Sequence, residues 1–166
     1  MVRHKKILIG LVNGPAIGIA CTTLSLCDLL ICSDKAYFST PFTQMGICPE
    51  GTSSVTFAQS MGYTKAAQMV LFSESLSAQD AFTCGFVARL LPHQTFKEDA
   101  RKIVEKYAAN LVPQSILYSK NMIKSDDLKK RLLGVNIYEG ICVKERFMAP
   151  ETMDKLTKKF GLQSKL

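Results

Sequence analysis

No stretch of this chain approaches the ~18 consecutive apolar residues needed to span a bilayer. The opening residues 1–6 are also not followed by the long apolar region of a secretion signal. A soluble protein is expected, with no membrane partner. None of the six cysteines (Cys21, Cys27, Cys32, Cys48, Cys84, Cys142) forms a CxxC pair, which argues against a zinc site or a disulfide framework. Set mostly among apolar neighbours, they read as small buried hydrophobes in a reducing compartment. Aromatic residues are not interleaved with the lysines in the stacking pattern of an RNA binder, and no nucleic-acid motif is present, so nucleic acid is not an expected partner. Internal repeats and low-complexity tracts are missing too. What is present is 47% hydrophobic residues over 166 positions, enough to bury a core and to exclude disorder as the main state.

The net charge of +7 is unevenly placed: residues 1–100 hold seven Lys/Arg and seven Asp/Glu, while residues 101–166 hold fourteen and seven. The basic excess therefore lies entirely in the second part. It reads either as solvated helix faces or as attraction for a polyanionic ligand.

Residues 7–12 form a β-branched and leucine-rich run ended by Asn13-Gly14-Pro15, the pattern of a buried strand and a tight turn. Residues 17–26 are small and apolar without charge, which predicts a helix buried on most sides; a second short strand follows at 29–32. Strand, helix, strand is a βαβ pattern. A further strand is expected over 36–39, a long loop over 41–54 and a helix over 55–61 stopped by Gly62, with Thr64 capping the next helix through Phe72. Ser77 to Asp80 and Thr95 to Glu98 match a capping box, opening helices that end near Gly85 and Asn110, with a short strand over 86–91 between them. Beyond Pro113 the pattern is helical, broken near Ser125 and at Ala149-Pro150, where proline suits a first helical turn. The fold class is α/β at the front and helical behind.

Three features point to chemistry. In NGPAIGIA, residues 13–20, a strand runs through a Gly-Pro turn into a helix whose first-turn N–H groups are free to meet an anion; an ordinary strand-to-helix turn would look the same. In TPFTQMGICPEGTSS, residues 40–54, Glu50 stands between Pro49 and Gly51 as the one charge from Tyr37 to Tyr63. Burial would raise its pKa, which is how a carboxylate becomes a proton shuttle near neutral pH; a solvent-facing turn glutamate is the alternative. Finally, Ser164-Lys165-Leu166 matches the receptor-read address of peroxisomes, against which stands a solvated helix end.

The string KILIGLVNGPAIGIACTTLSLCDLLICSDKAYFSTPFTQMGICPEG, residues 6–51, resembles the core of the crotonase (enoyl-CoA hydratase/isomerase) superfamily, in which a strand, an NG-x-A-x-G turn, a buried helix and a CD dipeptide recur in this order. The similarity runs to the last helices. It implies part of a crotonase-like ββα superhelix, with residues 1–110 as the second part of the core. Residues 111–166 would form a C-terminal helical trimerisation region ending in the peroxisomal signal. It also implies an acyl-CoA thioester as substrate, coenzyme A as part of that substrate, and no metal or other cofactor. The basic helices would flank the phosphates of coenzyme A.

By the same resemblance, the Ile19 backbone N–H is one of two oxyanion-hole donors to the thioester oxygen. Gly18, Ala20, Phe42, Pro49 and Gly51 would line the substrate. The other donor, with much of the adenine and pantetheine pocket, is expected from an N-terminal half that this chain lacks. Hydratases of the family carry two glutamates where Thr22 and Phe42 stand here, whereas Pro49-Glu50-Gly51 resembles the catalytic loop of peroxisomal Δ3,Δ2-enoyl-CoA isomerases. The expectation is therefore isomerisation of 3-enoyl-CoA to trans-2-enoyl-CoA, with a homotrimer and a peroxisomal import receptor as protein partners. The rival from another class is a non-catalytic module that binds CoA or mediates assembly, as in the chromodomain Y-like proteins, which resemble this chain in NGPAIG but carry aspartate at the Glu50 position. An enoyl-CoA hydratase is the weaker third reading.

Overall fold

The structure is a computed structural model in which residues 1–161 are described; Ser164, Lys165 and Leu166 lie outside the described residues. The chain opens with two short strands, β1 (Ile9–Val12) and β2 (Pro15–Ile17), followed by helix α1 (Ile19–Leu24). Strands β3 (Leu29–Ser33) and β4 (Tyr37–Ser39) repeat the step, and after a 3-10 turn at Thr43–Met45 come helices α2 (Ser53–Met61) and α3 (Tyr63–Val70). Strand β5 (Leu76–Ser77), helix α4 (Ala78–Thr83) and strand β6 (Arg89–Leu91) complete the mixed part. Four helices end the chain: α5 (Phe96–Asn110), α6 (Pro113–Ile123), α7 (Asp126–Phe147) and α8 (Pro150–Phe160).

The strands sort into two three-stranded sheets, β1-β3-β6 and β2-β4-β5. The first is parallel, with Val12 opposite Cys32 and Ser33 opposite Leu91; in the second β2 runs parallel to β4, and β5 antiparallel to it. Each of the first two passes of the chain thus lays one strand in each sheet before turning into helix, a ββα step, while in the third α4 separates β5 from β6. The main core joins the sheets to α2, α3 and α4 through Phe38, Phe57, Met69 and Phe86. Phe86 meets Phe38 and Phe57 edge to face at centroid distances of 5.3 and 5.5 Å, the geometry that the ring quadrupoles favour.

Several local expectations change. The βαβ reading misses β2, because Pro15 closes one turn signal and also opens a strand that needs no N–H from it. The helix expected over 17–26 is shorter because Gly18, at φ 59 and ψ −129, holds a conformation outside the helical region. Gly62, not Thr64, stands at the N-terminus of α3, and the side chain of Thr95 accepts no capping hydrogen bond. The Ser77 box does form: its hydroxyl oxygen accepts the Asp80 N–H at 3.0 Å. Proline opens α6 and α8 as expected. No helix among the described residues is long and apolar enough to cross a membrane.

Candidate active site

The turn into α1 is built around Gly18. Its N–H donates to the Ser39 carbonyl at 2.9 Å, tying it to β4, while its own carbonyl accepts the N–H groups of Cys21 and Thr22 and so nucleates the helix. Between these bonded groups, the N–H groups of Ile19 and Ala20 have no acceptor among the described residues. Both residues are exposed, Ile19 at 52%. An amide left over at a helix start is a donor awaiting an acceptor.

The Glu50 loop docks onto this turn. Gly51 lies so close to α1 that a Cβ built on it would meet Thr22 Oγ1 at 2.5 Å and Ile19 Cδ1 at 3.1 Å. Gly51 and Thr52 both take left-handed backbone, at φ 67 and φ 72, and for threonine this costs of order 1–3 kcal/mol. Ser53 pins the backbone of Glu50 from the other side, its hydroxyl donating to the Glu50 carbonyl at 2.7 Å and its N–H at 3.2 Å. Glu50 itself is half-buried. Desolvation first, and the Glu139 carboxylate second, push its carboxyl above the usual carboxylate range.

Glu139 comes from the middle of α7 and is only 4% exposed. It accepts the Thr52 N–H at 2.6 Å and the Ser54 N–H at 2.9 Å, one on each carboxylate oxygen. These are the unsatisfied donors at the start of α2, where the side chain of Thr52 makes no cap of its own. The other end of the loop is also held: the Gly46 carbonyl accepts Arg146 Nε at 3.0 Å and the Thr152 hydroxyl at 2.8 Å. Arg146 reaches on to Glu151 at 2.8 Å. The segment carrying Glu50 is therefore anchored at both ends by α7 and the start of α8.

Of the residues singled out by sequence, Gly18, Ile19, Ala20, Glu50 and Gly51 gather at this junction, and Pro49 precedes Glu50 in the half-buried part of the loop. Phe42 is buried, 1% exposed, at the start of the 3-10 turn. Thr22 is fully buried under Gly51, its hydroxyl donating to the Ile19 carbonyl at 3.2 Å. Sequence reasoning missed Glu139, although a signal was there: it is the sole charge between Arg131 and Lys144, just as Glu50 is alone in its own loop. Of the six cysteines Cys21 and Cys32 are buried, while Cys27, Cys48, Cys84 and Cys142 are only half-buried. Burial pushes Cys21 up to about 12 and Cys32 up to about 11, which keeps both protonated. No group of three or more His, Cys, Asp or Glu among the described residues is placed to hold a metal ion.

Residues 1–133 match the family described as "Enoyl-CoA hydratase/isomerase". Among curated proteins, enoyl-CoA delta isomerase 2 of Rattus norvegicus is 38% identical over 91% of this chain and 38% of its own length. Enoyl-CoA delta isomerase 3, peroxisomal, of Mus musculus is 39% identical over 88% of this chain and 45% of its own. The chain thus spans less than half the length of both. A solved enoyl-CoA hydratase/isomerase from Pseudoalteromonas atlantica T6c superposes with a TM-score of 0.90 at 29% identity, covering 96% of this chain and 64% of that one. The mixed α/β architecture is that of a crotonase fold. The chain belongs to the enoyl-CoA hydratase/isomerase family.

Proposed function

We propose that this chain carries the acid/base of a Δ3,Δ2-enoyl-CoA isomerase that converts 3-enoyl-CoA to trans-2-enoyl-CoA in peroxisomal fatty-acid β-oxidation. The observation that carries this reading is the docking of Gly51 on Ile19 and Thr22, which seats the loop carrying Glu50 against a helix start whose Ile19 N–H has no acceptor among the described residues. Ionised Glu50 removes a proton from C2, and the electron pair of that C–H bond delocalises through the diene toward the thioester oxygen. The Ile19 N–H receives the developing charge, a donor of the kind worth about 3 kcal/mol in comparable sites. Glu50 then returns the proton at C4, and the double bond is left between C2 and C3. One carboxylate with a raised proton affinity serves both half-reactions.

Hydration is less well supported. The positions of the two hydratase glutamates hold Thr22, whose hydroxyl is bonded to a helix carbonyl, and Phe42, which is buried. Glu139 does not replace them, because both its oxygens are engaged by backbone N–H groups. Gly18, Ala20, Pro49 and Gly51 would shape the acyl channel, with Phe42 filling its floor. No metal or redox cofactor is required, and coenzyme A arrives with the substrate. A peroxisomal location, with an import receptor as partner, is supported by Ser164-Lys165-Leu166 and by the peroxisomal relative from mouse. Exposed Ile137, Tyr138 and Ile141 on α7 suit packing against other subunits, as in a homotrimer.

A coupled assay on a 3-enoyl-CoA tests the reading, using the chain alone and extended by the upstream half that its relatives carry. Turnover should fall about 10²- to 10⁴-fold in Glu50→Gln, the usual contribution of a general acid/base. Undiminished turnover in that variant, or hydration of a 2-enoyl-CoA at a comparable rate, would overturn it.

A further inference from the structure

Two observations around the Glu50 loop are not needed for its own role and point to a second residue. Gly51 and Thr52 follow Glu50 in left-handed conformations, at φ 67 and φ 72, and the Thr52 hydroxyl is buried with no hydrogen-bond partner among the described residues. Neither the side chain of Thr52 nor any acidic residue in the first turn of α2 stabilises that turn from within. The stabilising group comes instead from 87 residues away along the chain, as the Glu139 carboxylate on the Thr52 and Ser54 N–H groups. A carboxylate at a helix N-terminus is favoured by the partial positive charge there, and with both oxygens engaged this one has a fixed orientation. A strained turn persists only when its surroundings over-determine it.

We propose that Glu139 is a positioning residue for Glu50: from α7 it clamps the Gly51–Thr52 turn that aims the Glu50 side chain, and it holds its own carboxylate against the loop that carries Glu50. This rests on the reading of Glu50 as the proton shuttle. The clamp and the charge act in the same direction. A carboxylate held close to a second carboxylate binds its proton more readily, which suits a group that must take a proton from carbon and then keep it until C4 is presented. The elements around the loop carry other ionisable groups, namely Cys21 on α1, Cys48 in the loop, and Tyr138, Cys142 and Arg146 on α7. None of these acts on the carboxyl of Glu50, which burial first and Glu139 second push up, and Arg146 is taken up by Gly46 and Glu151.

The test compares wild type with Glu139→Gln, Glu139→Asp and Glu139→Ala in the protein extended to the length of its relatives, reading kcat/KM against pH. The acid limb of that profile reports the free enzyme's base. Glu139→Gln keeps one accepting oxygen but no charge, so the acid limb moves to lower pH. Glu139→Asp keeps the charge on a shorter arm, so the rate falls while the limb stays nearer that of wild type. Glu139→Ala loses both, and turnover falls roughly 10- to 100-fold, the scale of a small misplacement of a catalytic group. Hydrogen exchange at the Thr52 and Ser54 amides also speeds up in Glu139→Ala.

A direct titration of the ¹³C-labelled Glu50 carboxyl by NMR reads the same coupling without turnover, in any variant that retains the wild-type fold by circular dichroism. This keeps failure of the clamp distinct from failure of the isomerase reading, which the Glu50→Gln assay decides. An unchanged Glu50 titration in Glu139→Gln, or unchanged exchange at Thr52 and Ser54 in Glu139→Ala, would overturn the proposal.

Discussion

At Glu50 the requirements of stability and of the proposed chemistry are opposed. Burial and the neighbouring Glu139 both raise its proton affinity in the folded state. A carboxyl with a raised folded-state pKa costs stability as pH rises from its ordinary value through the raised one, because the folded form gives up its proton less readily than the unfolded chain. Glu50→Gln is therefore expected to melt at or above the wild-type temperature at pH 8, with the difference vanishing below the ordinary carboxylate range. Thermal denaturation followed by circular dichroism at pH 3.5 and pH 8 checks this, and a lower melting temperature for the variant at pH 8 would contradict it. Gly51 is the opposite case. Its left-handed backbone and the 2.5 Å approach of a would-be Cβ to Thr22 Oγ1 predict that Gly51→Ala loses roughly 1–3 kcal/mol of stability. Turnover should fall with it, as the loop lifts from α1.

At the scale of elements, the C-terminal helices are tied to the sheets by buried charge. Asp28 follows α1 and accepts Lys120 Nζ at 2.7 Å, Lys124 Nζ at 2.9 Å and the Leu8 N–H at 2.8 Å. Lys120 also donates to the Lys6 carbonyl. Burial alone would push the Asp28 carboxyl up, but the hydrogen bonds from Lys120, Lys124 and Leu8 outweigh it and hold the group below the usual range. The stability this contributes is present above the ordinary carboxylate pKa and is lost as pH falls through the depressed one. Lys120→Met leaves Asp28 to Lys124 and the Leu8 N–H alone, so it should destabilise by about 1–3 kcal/mol, the scale of a lost hydrogen bond to a charged group, measured by urea denaturation at pH 7. A change within ±0.5 kcal/mol would show that water already screens the cluster.

The same scale shows how much could be read from sequence. The apolar runs at β1 and β3, the Ser77 box and the prolines of α6 and α8 were legible because local chemistry decides them. Strand β2 was not, since three residues headed by proline resemble the turn before them. The cap of α2 was hidden for a different reason: its acceptor lies on α7, and no local pattern at Thr52 records a partner that only the tertiary fold brings near. Glu50 was legible as a solitary charge, but its strained neighbours and its anchors at Gly46 and Thr52 were not.

On the scale of the whole molecule, two small sheets position the Ile19 turn, and helices from the far end of the chain position Glu50. The basic second part is thus more than a solvated surface, since Lys120, Lys124 and Arg146 fasten it to the core. The exposed apolar residues of α7 predict association: light scattering of the chain extended to the length of its relatives should give a mass above that of a monomer, and a monomer at micromolar concentration would contradict that. The central claim remains that a single carboxylate moves one proton between two carbons. It is tested most directly with a 3-enoyl-CoA deuterated at C2, following the label by NMR of the product. The account predicts that a detectable fraction of the deuterium reappears at C4, and that Glu50→Gln abolishes the transfer. Label lost wholly to solvent, or transfer that survives in Glu50→Gln, would contradict it.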